Sequence, residues 1–185
     1  AKNFLEQKEP VIYDILEEIK TQSSGEYKTA FLQDADSLAL MTQNLIPILN
    51  QIKESNPSIN RIASYGRNNS LARKTREELA ELRSAGLTAI YRGLESGYDP
   101  LLSYMKKGTT AKELIITGQK IKKSGIELND FVMPGLGGNL KLEGEETWRR
   151  HAVKTARVIN AINPDFIRLR TLIIYPNTPL WEKAQ

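Results

Sequence analysis

The residues of this sequence that could do chemistry stand where apolar runs end. The apolar run 87–91 is followed by Arg92 and by Glu95, which lies between Gly93 and Gly97. Glycine weakens strands and helices and is kept where the backbone bends or a ligand comes close. The pattern predicts a buried strand that presents a carboxylate at its C-terminal end; the alternative is a loop with a solvated acid.

Two acids follow the apolar run 29–33. Asp34 and Asp36 are suited to binding Mg²⁺ or an ammonium group, and the alternative is that they cap the next helix. Because they are two residues apart on a turn, they need not face the same point. We therefore favour binding over paired-carboxylate catalysis.

An arginine and a glycine-rich loop follow two further apolar runs. Arg67 comes after run 61–65, and residues 135–138 follow run 126–133. The loop lacks the spacing of a dinucleotide-binding fingerprint or a P-loop. It is either a close approach of backbone to a ligand or a flexible connection.

Histidine and cysteine contents limit the available chemistry. His151 is the only histidine, and a single imidazole forms no multi-histidine metal site, so we interpret it as a packing or surface residue. Cysteine is absent, which removes disulfides, thiolate nucleophiles and all-cysteine metal sites from this chain. We predict no metal ligands within it.

Length and composition indicate one domain over residues 1–185. The chain has 40% hydrophobic residues, a net charge of +4 and no apolar run of membrane-spanning length. We expect a soluble, cytoplasmic protein without membrane contact. The mild positive charge allows an anionic partner but does not demand one, and we do not expect nucleic acid binding.

Helical and strand patterns alternate along the chain. Capping-box spacing at Thr75/Glu78 and at Thr110/Glu113 starts two helices, and strands recur at the spacing of βαβ units, the last over 166–174. This order predicts an α/β fold with a parallel sheet of about five strands. A doubly wound sheet and a barrel both fit, and we favour a partial (βα) TIM-like barrel. Its strand ends share one edge, the rim, where the acids, arginines and glycine loop would gather.

Several motifs together resemble the core domain of the radical SAM superfamily, most closely the Fe–S oxidoreductases related to oxygen-independent coproporphyrinogen oxidase and Elongator-type proteins. The Gly-Leu-Glu-Ser-Gly and Met-Lys-Lys-Gly pair is the specific part. The motifs, in order, are residues 31–37, 93–97, 105–109, 125–127, 133–138 and 175–180.

The resemblance implies a partial barrel of six strands that binds S-adenosylmethionine (SAM) beside a [4Fe–4S] cluster and cleaves it reductively to a 5′-deoxyadenosyl radical. In the family, a C-x3-C-x2-C loop after the first strand holds the cluster. This chain has no cysteine. By the resemblance, it begins within what would be the family's first crossover helix. We expect the family's first strand and cluster loop to lie upstream of Ala1, and this segment to be inactive alone.

Matching the family's motifs residue by residue gives the expected cofactor contacts. An acid suits an ammonium or hydroxyls, a guanidinium suits a carboxylate, and glycine lets a ring pack on backbone. The expected contacts are Asp34, Ala35 and Asp36 for the methionyl ammonium, Ser64 and Arg67 for the carboxylate, Glu95 for the ribose or amino acid part, and Gly135 and Gly137 beside the adenine.

Two other functions fit the residues alone. One is a TIM-like lyase or aldolase that uses Asp34, Arg67 and Glu95 on an anionic substrate. The other is a non-catalytic module that binds RNA or protein through basic pairs such as 106–107 and 149–150. The substrate stays open. Unpaired edges of an incomplete barrel also predict edge-mediated homodimerisation of the segment.

Overall fold

The computed structural model describes residues 27–33 and 36–184, together with Glu17 and Ile19, which are helical. The predicted first helix otherwise lies outside the described residues. The elements in chain order are β1 (Thr29–Leu32), a 3-10 helix (Ser37–Ala39), α1 (Thr42–Ser55), β2 (Arg61–Gly66), α2 (Asn68–Arg73), α3 (Arg76–Ala85), β3 (Leu87–Glu95), α4 (Asp99–Tyr104), α5 (Ala111–Lys123), β4 (Glu127–Val132), β5 (Lys141–Leu142), β6 (Glu145–Glu146), α6 (Thr147–Ile162), β7 (Phe166–Leu169) and α7 (Pro179–Ala184).

Five strands form one parallel sheet in the order β1-β2-β3-β4-β7. Sequential strands are neighbours and most of the crossovers are helical, as expected for βαβ units. The predicted α/β class and five-stranded parallel sheet are confirmed. Among the described strands, β1 and β7 each pair on one side only, so the sheet is not closed into a barrel.

The two faces of the sheet differ in what covers them. On the outer face, strand residues such as Ile62, Ile90 and Leu128 are buried in one hydrophobic core with leucines of the helices. On the inner face, four aromatic rings touch one another across the strands. Alternation of side chains along each strand keeps the two sets apart.

Local signals predicted several helix boundaries correctly. Thr75 with Glu78 and Thr110 with Glu113 form reciprocal capping boxes at the starts of α3 and α5. Asn163 ends α6 in the left-handed region, with φ of 52°. No helix among the described residues is long and apolar enough to cross a membrane.

Two predicted boundaries were wrong. β3 runs on through Arg92 to Glu95, and Arg92 is fully buried on the outer face rather than exposed on the rim. The last strand stops at Leu169 instead of residue 174.

Candidate functional site

A cavity of about 230 Å³ opens at the C-terminal ends of β2 and β3. Ends of parallel strands are where sites of such folds form. The lining residues are Tyr65, Gly66, Arg67, Asn68, Asn69, Tyr91, Gly93, Leu94, Glu95, Lys107, Thr109 and Phe131.

Glu95 is the last residue of β3 and has a φ of 59°, in the left-handed region. The register with β4 shifts between Gly93 and Glu95, so that Glu95 pairs with Val132 across a bulge. A non-glycine residue held in this region costs about 1–3 kcal/mol, and such strain clusters at ligand sites. The geometry therefore supports a functional role for Glu95.

Lys107 forms an ion pair with the Glu95 carboxylate. It comes from the loop after α4, and the Glu95 side chain is mostly buried. The sequence prediction missed Lys107 as a site residue, although the pairing of the two motifs that carry these residues was the signal that could have found it. The ion pair fixes where the carboxylate points.

Glycine is present on either side of Glu95 for two different structural reasons. The three atoms nearest to a Cβ added to Gly93 all belong to the Glu95 side chain, with Oε1 closest at 3.2 Å, so Gly93 leaves room for the Glu95 carboxylate beside the cavity. A Cβ on Gly97 would lie 2.6 Å from the Lys154 carbonyl oxygen. Gly97 is therefore required for close packing of α6.

Arg67 projects into solvent at the cavity, and its guanidinium forms no ion pair within the described part of the chain. Its backbone N–H donates to Asp36 Oδ1 at 2.9 Å, and the Ser70 hydroxyl donates to Asp36 Oδ2 at 2.6 Å. The buried Asp36 carboxylate thus fixes the turn that carries Arg67. Asp34 and Ala35 lie outside the described residues.

The remaining predicted contacts lie away from the cavity lining. Ser64 is fully buried on the outer face, where its hydroxyl donates to the Tyr65 carbonyl at 2.8 Å. Gly137 packs under the start of α6, where an added Cβ would lie only 3.0 Å from the Trp148 nitrogen. Gly135, with φ of 83°, has open space around it. Of the predicted residues, the cavity brings together Arg67 and Glu95.

His151 hydrogen-bonds to the residues that follow β3 and β4, next to Glu95. Its Nδ1 lies 2.9 Å from the Ser96 hydroxyl, and its Nε2 lies 3.2 Å from the Met133 carbonyl oxygen. A carbonyl only accepts, so Nε2 carries the proton and Nδ1 accepts from Ser96. Burial lowers the pKa of His151, which keeps it neutral. Since Met133 N–H also donates to the Glu95 carbonyl at 3.2 Å, the ends of β3 and β4 are joined.

Arg92 and Asp130 form a fully buried ion pair on the outer face. The Arg92 guanidinium donates twice to the carboxylate, at 2.8 Å each, and through Nη1 to Asn68 Oδ1 and the Leu114 carbonyl. These partners belong to β4, α2 and α5. Arg92 is therefore a structural residue, not the binding group that its place in the sequence suggested.

The described residues hold no group of three or more histidine, aspartate or glutamate side chains that could bind a metal ion. The whole sequence has no cysteine. Residues of this chain therefore do not fit a [4Fe–4S] cluster, which requires thiolates.

Comparison with known proteins shows which folds this chain resembles. No family model matches the chain. In the structure of HemN, the coproporphyrinogen III oxidase of Escherichia coli described as a radical SAM enzyme, a similar region has a TM-score of 0.72 at 13% identity, covering 90% of this chain and 38% of that one. The fold is that of the radical SAM core. The radical SAM methyltransferase TsrM of Kitasatospora setae, with cobalamin and a [4Fe–4S] cluster bound, gives a TM-score of 0.67 at 15% identity over 91% of this chain and 30% of that one.

Curated relatives match part of the chain by sequence. The tRNA uridine(34) acetyltransferase of Methanocaldococcus jannaschii is 23% identical over 106 residues, which are 57% of this chain and 19% of that protein. An archaeal Elp3 structure from Methanocaldococcus infernus has a TM-score of 0.63 at 16% identity, over 84% of this chain and 39% of that one. The chain thus spans less than half of the length of these relatives.

Proposed function

We propose that this chain is the SAM-binding core of a radical SAM enzyme. The observation that carries the proposal is the cavity at the ends of β2 and β3, which holds a strained, ion-paired Glu95 and an Arg67 that has no ion-pair partner among the described residues. The shared fold with radical SAM enzymes supports it. A lyase or aldolase has no such support from the comparisons, and the non-catalytic module has only the word tRNA in the name of one relative, which is itself an enzyme.

Each cavity residue has a role that its chemistry suits. Glu95, oriented by Lys107, accepts hydrogen bonds from the ribose hydroxyls or the amino acid part of SAM. Arg67 binds the methionyl carboxylate. Gly93 lets the ligand approach the backbone of β3. Asp36 acts through Arg67, because its carboxylate already accepts from Arg67 N–H and Ser70.

The other expected SAM contacts have less support than Glu95 and Arg67. Asp34 and Ala35 remain proposed contacts of the methionyl ammonium. Gly135, which is open to solvent, remains a proposed neighbour of the adenine. Ser64 is buried on the outer face of the sheet, and Gly137 packs under the start of α6.

The electron source of the proposed reaction lies outside this chain. Because it has no cysteine, the thiolates for a [4Fe–4S] cluster must come from elsewhere in the full-length protein. With such a cluster supplied by the full-length protein, SAM held by Glu95 and Arg67 would be the source of a 5′-deoxyadenosyl radical for an oxidoreductase reaction. The segment alone would bind SAM without cleaving it.

Direct binding of SAM tests the proposal. We expect saturation-transfer NMR and calorimetry to detect weak binding of SAM to this chain. Glu95→Gln and Arg67→Gln should each weaken it about tenfold or more, because a hydrogen bond to a charged group contributes about 1.5–3 kcal/mol. Glu81→Gln and Arg157→Gln, which change exposed helix residues, are the matched controls and should bind normally.

Two outcomes would contradict the proposal. One is the absence of SAM binding to a chain whose circular dichroism shows it folded. The other is binding that both cavity variants leave unchanged. Turnover of an anionic substrate in air without any cluster would instead support the lyase or aldolase.

A further inference from the structure

Four aromatic rings form a continuous layer on the inner face of the sheet. Phe31 lies 4.8 Å from Tyr65 and 5.4 Å from Tyr91 between ring centroids, and Phe131 lies 6.1 Å from Tyr91. Phe31 and Tyr65 are each 36% exposed. Three of the rings also line the cavity proposed for SAM, so the aromatic layer continues from its wall.

Two arginines of the last sheet strand and its continuation lie over this layer. The Arg168 guanidinium carbon is 5.0 Å from the Tyr91 ring centroid, and that of Arg170 is 5.3 Å from the Phe131 centroid. Arg170 N–H continues the ladder by donating to the Val132 carbonyl at 2.9 Å. Two residues apart on an extended segment, the side chains share one face at a spacing of about 6.6 Å along the chain.

The neighbouring carboxylates already have partners. Glu127 accepts from Arg61 at 2.9 and 2.6 Å, and these hydrogen bonds are the main reason that the pKa of Glu127 is lowered to about 2, with a smaller contribution from Arg168. Glu95 is paired with Lys107. Glu127 and Glu95 are therefore each paired with another cation.

The two stacked arginines have no such carboxylate partner within the described part of the chain. Arg168 donates long hydrogen bonds to Asn129 Oδ1 at 3.3 Å and to the Tyr91 hydroxyl at 3.4 Å, and it affects the charge of Glu127 without forming an ion pair with it. Arg170 is exposed, and among these residues its guanidinium contacts only the Phe131 ring. The contact with the ring holds each guanidinium in place. Arg168 keeps the N–H groups of Nη1, which donate to no described residue, and the guanidinium of Arg170 has no hydrogen bond or ion pair among the described residues, so both can bind an anion.

We propose that the inner face binds a planar organic carboxylate as the substrate beside SAM, with its ring body on the aromatic layer and its carboxylates on Arg168 and Arg170. This deepens, and rests on, the proposed function. Arginine forks bind carboxylates through two parallel hydrogen bonds, and aromatic faces bind flat apolar bodies. A cationic or fully aliphatic substrate does not match this surface.

The test compares four probes for binding to this chain by saturation-transfer NMR. We expect 2,6-naphthalenedicarboxylate to bind at least about tenfold more tightly than its neutral analogue, 2,6-bis(hydroxymethyl)naphthalene. We expect inorganic phosphate and a single-stranded oligonucleotide to bind more weakly than the dicarboxylate. Equal binding of the dicarboxylate and the diol, or binding of phosphate or the oligonucleotide alone, would overturn the proposal.

Variants separate this proposal from the SAM site. Arg168→Gln and Arg170→Gln should each weaken dicarboxylate binding about tenfold or more while SAM binding stays within about twofold. Glu95→Gln should weaken SAM binding and leave dicarboxylate binding nearly unchanged. Arg157→Gln is the charge-matched control and should change neither. Arg168→Lys keeps the charge but removes the fork, so it should also lose most of the affinity. Unchanged dicarboxylate binding in folded Arg168→Gln and Arg170→Gln refutes the inference even where SAM binding holds.

Discussion

Arg92→Met should destabilise the protein more than any exposed arginine substitution. The change leaves the fully buried Asp130 carboxylate without either of its donors, and it removes the donor to Asn68 Oδ1 and the Leu114 carbonyl. Breaking a buried ion pair from one side costs about 3–5 kcal/mol. Each further buried acceptor that is left unpaired adds to this cost. Against a total stability of about 5–15 kcal/mol, this loss is large.

Urea unfolding followed by circular dichroism measures the effect. With an m-value of about 2 kcal/mol per molar, the midpoint should fall by roughly 2 M. The double variant Arg92→Met/Asp130→Leu should recover most of the loss, because apolar residues of similar size replace both charges. Arg150→Met, which breaks an exposed pair with Glu145, should leave the midpoint nearly unchanged. A loss below about 1 kcal/mol in Arg92→Met, or a double variant no better than the single one, would refute the reasoning.

Three further measurements test other features. Gly97→Ala should lower the free energy of unfolding by about 1–3 kcal/mol, because the added methyl group overpacks against α6. Gly93→Ala should lower it much less, and equal losses in the two variants would contradict this explanation. Burial lowers the pKa of His151 below its unfolded value of about 6.5, so its contribution to stability should be fully present above that pH and should be lost as the pH falls below it. Thermal unfolding measures this dependence, and His151→Gln should flatten it. Edge pairing through β1 or β7 should give a dimer in light scattering, and a strict monomer at high concentration would rule it out.

The parallel sheet and the helix starts could be predicted from sequence because they depend on local signals. Apolar runs at βαβ spacing indicated the strands, and Thr75/Glu78 and Thr110/Glu113 indicated the helix starts through bonds three residues apart. Glu95 could be singled out because it interrupts an apolar run between glycines. These features need no knowledge of distant partners.

The errors concern residues whose partners are far along the chain. Arg92 looked like a strand end because nothing local shows that Asp130, 38 positions later, neutralises it in the core. The hydrogen bonds that the Asp36 carboxylate accepts from Arg67 N–H and Ser70 were equally invisible in the sequence, and its contact with the methionyl ammonium stays a prediction. Ser64 was assigned by its nearness to a strand end, whereas side-chain alternation turns it to the outer face.

The position of β7 links substrate binding to local order. Every residue of β7 is exposed, and among the described strands it is paired only with β4, so its amide hydrogens should exchange through low-energy local opening. This strand and the residue after it carry the two stacked arginines. A ligand that bridges the two arginines would bind only while β7 is paired with β4. Part of its binding energy would therefore be used to keep β7 paired. Amide exchange in β7 should therefore slow as the dicarboxylate is added, while exchange in β3 stays unchanged.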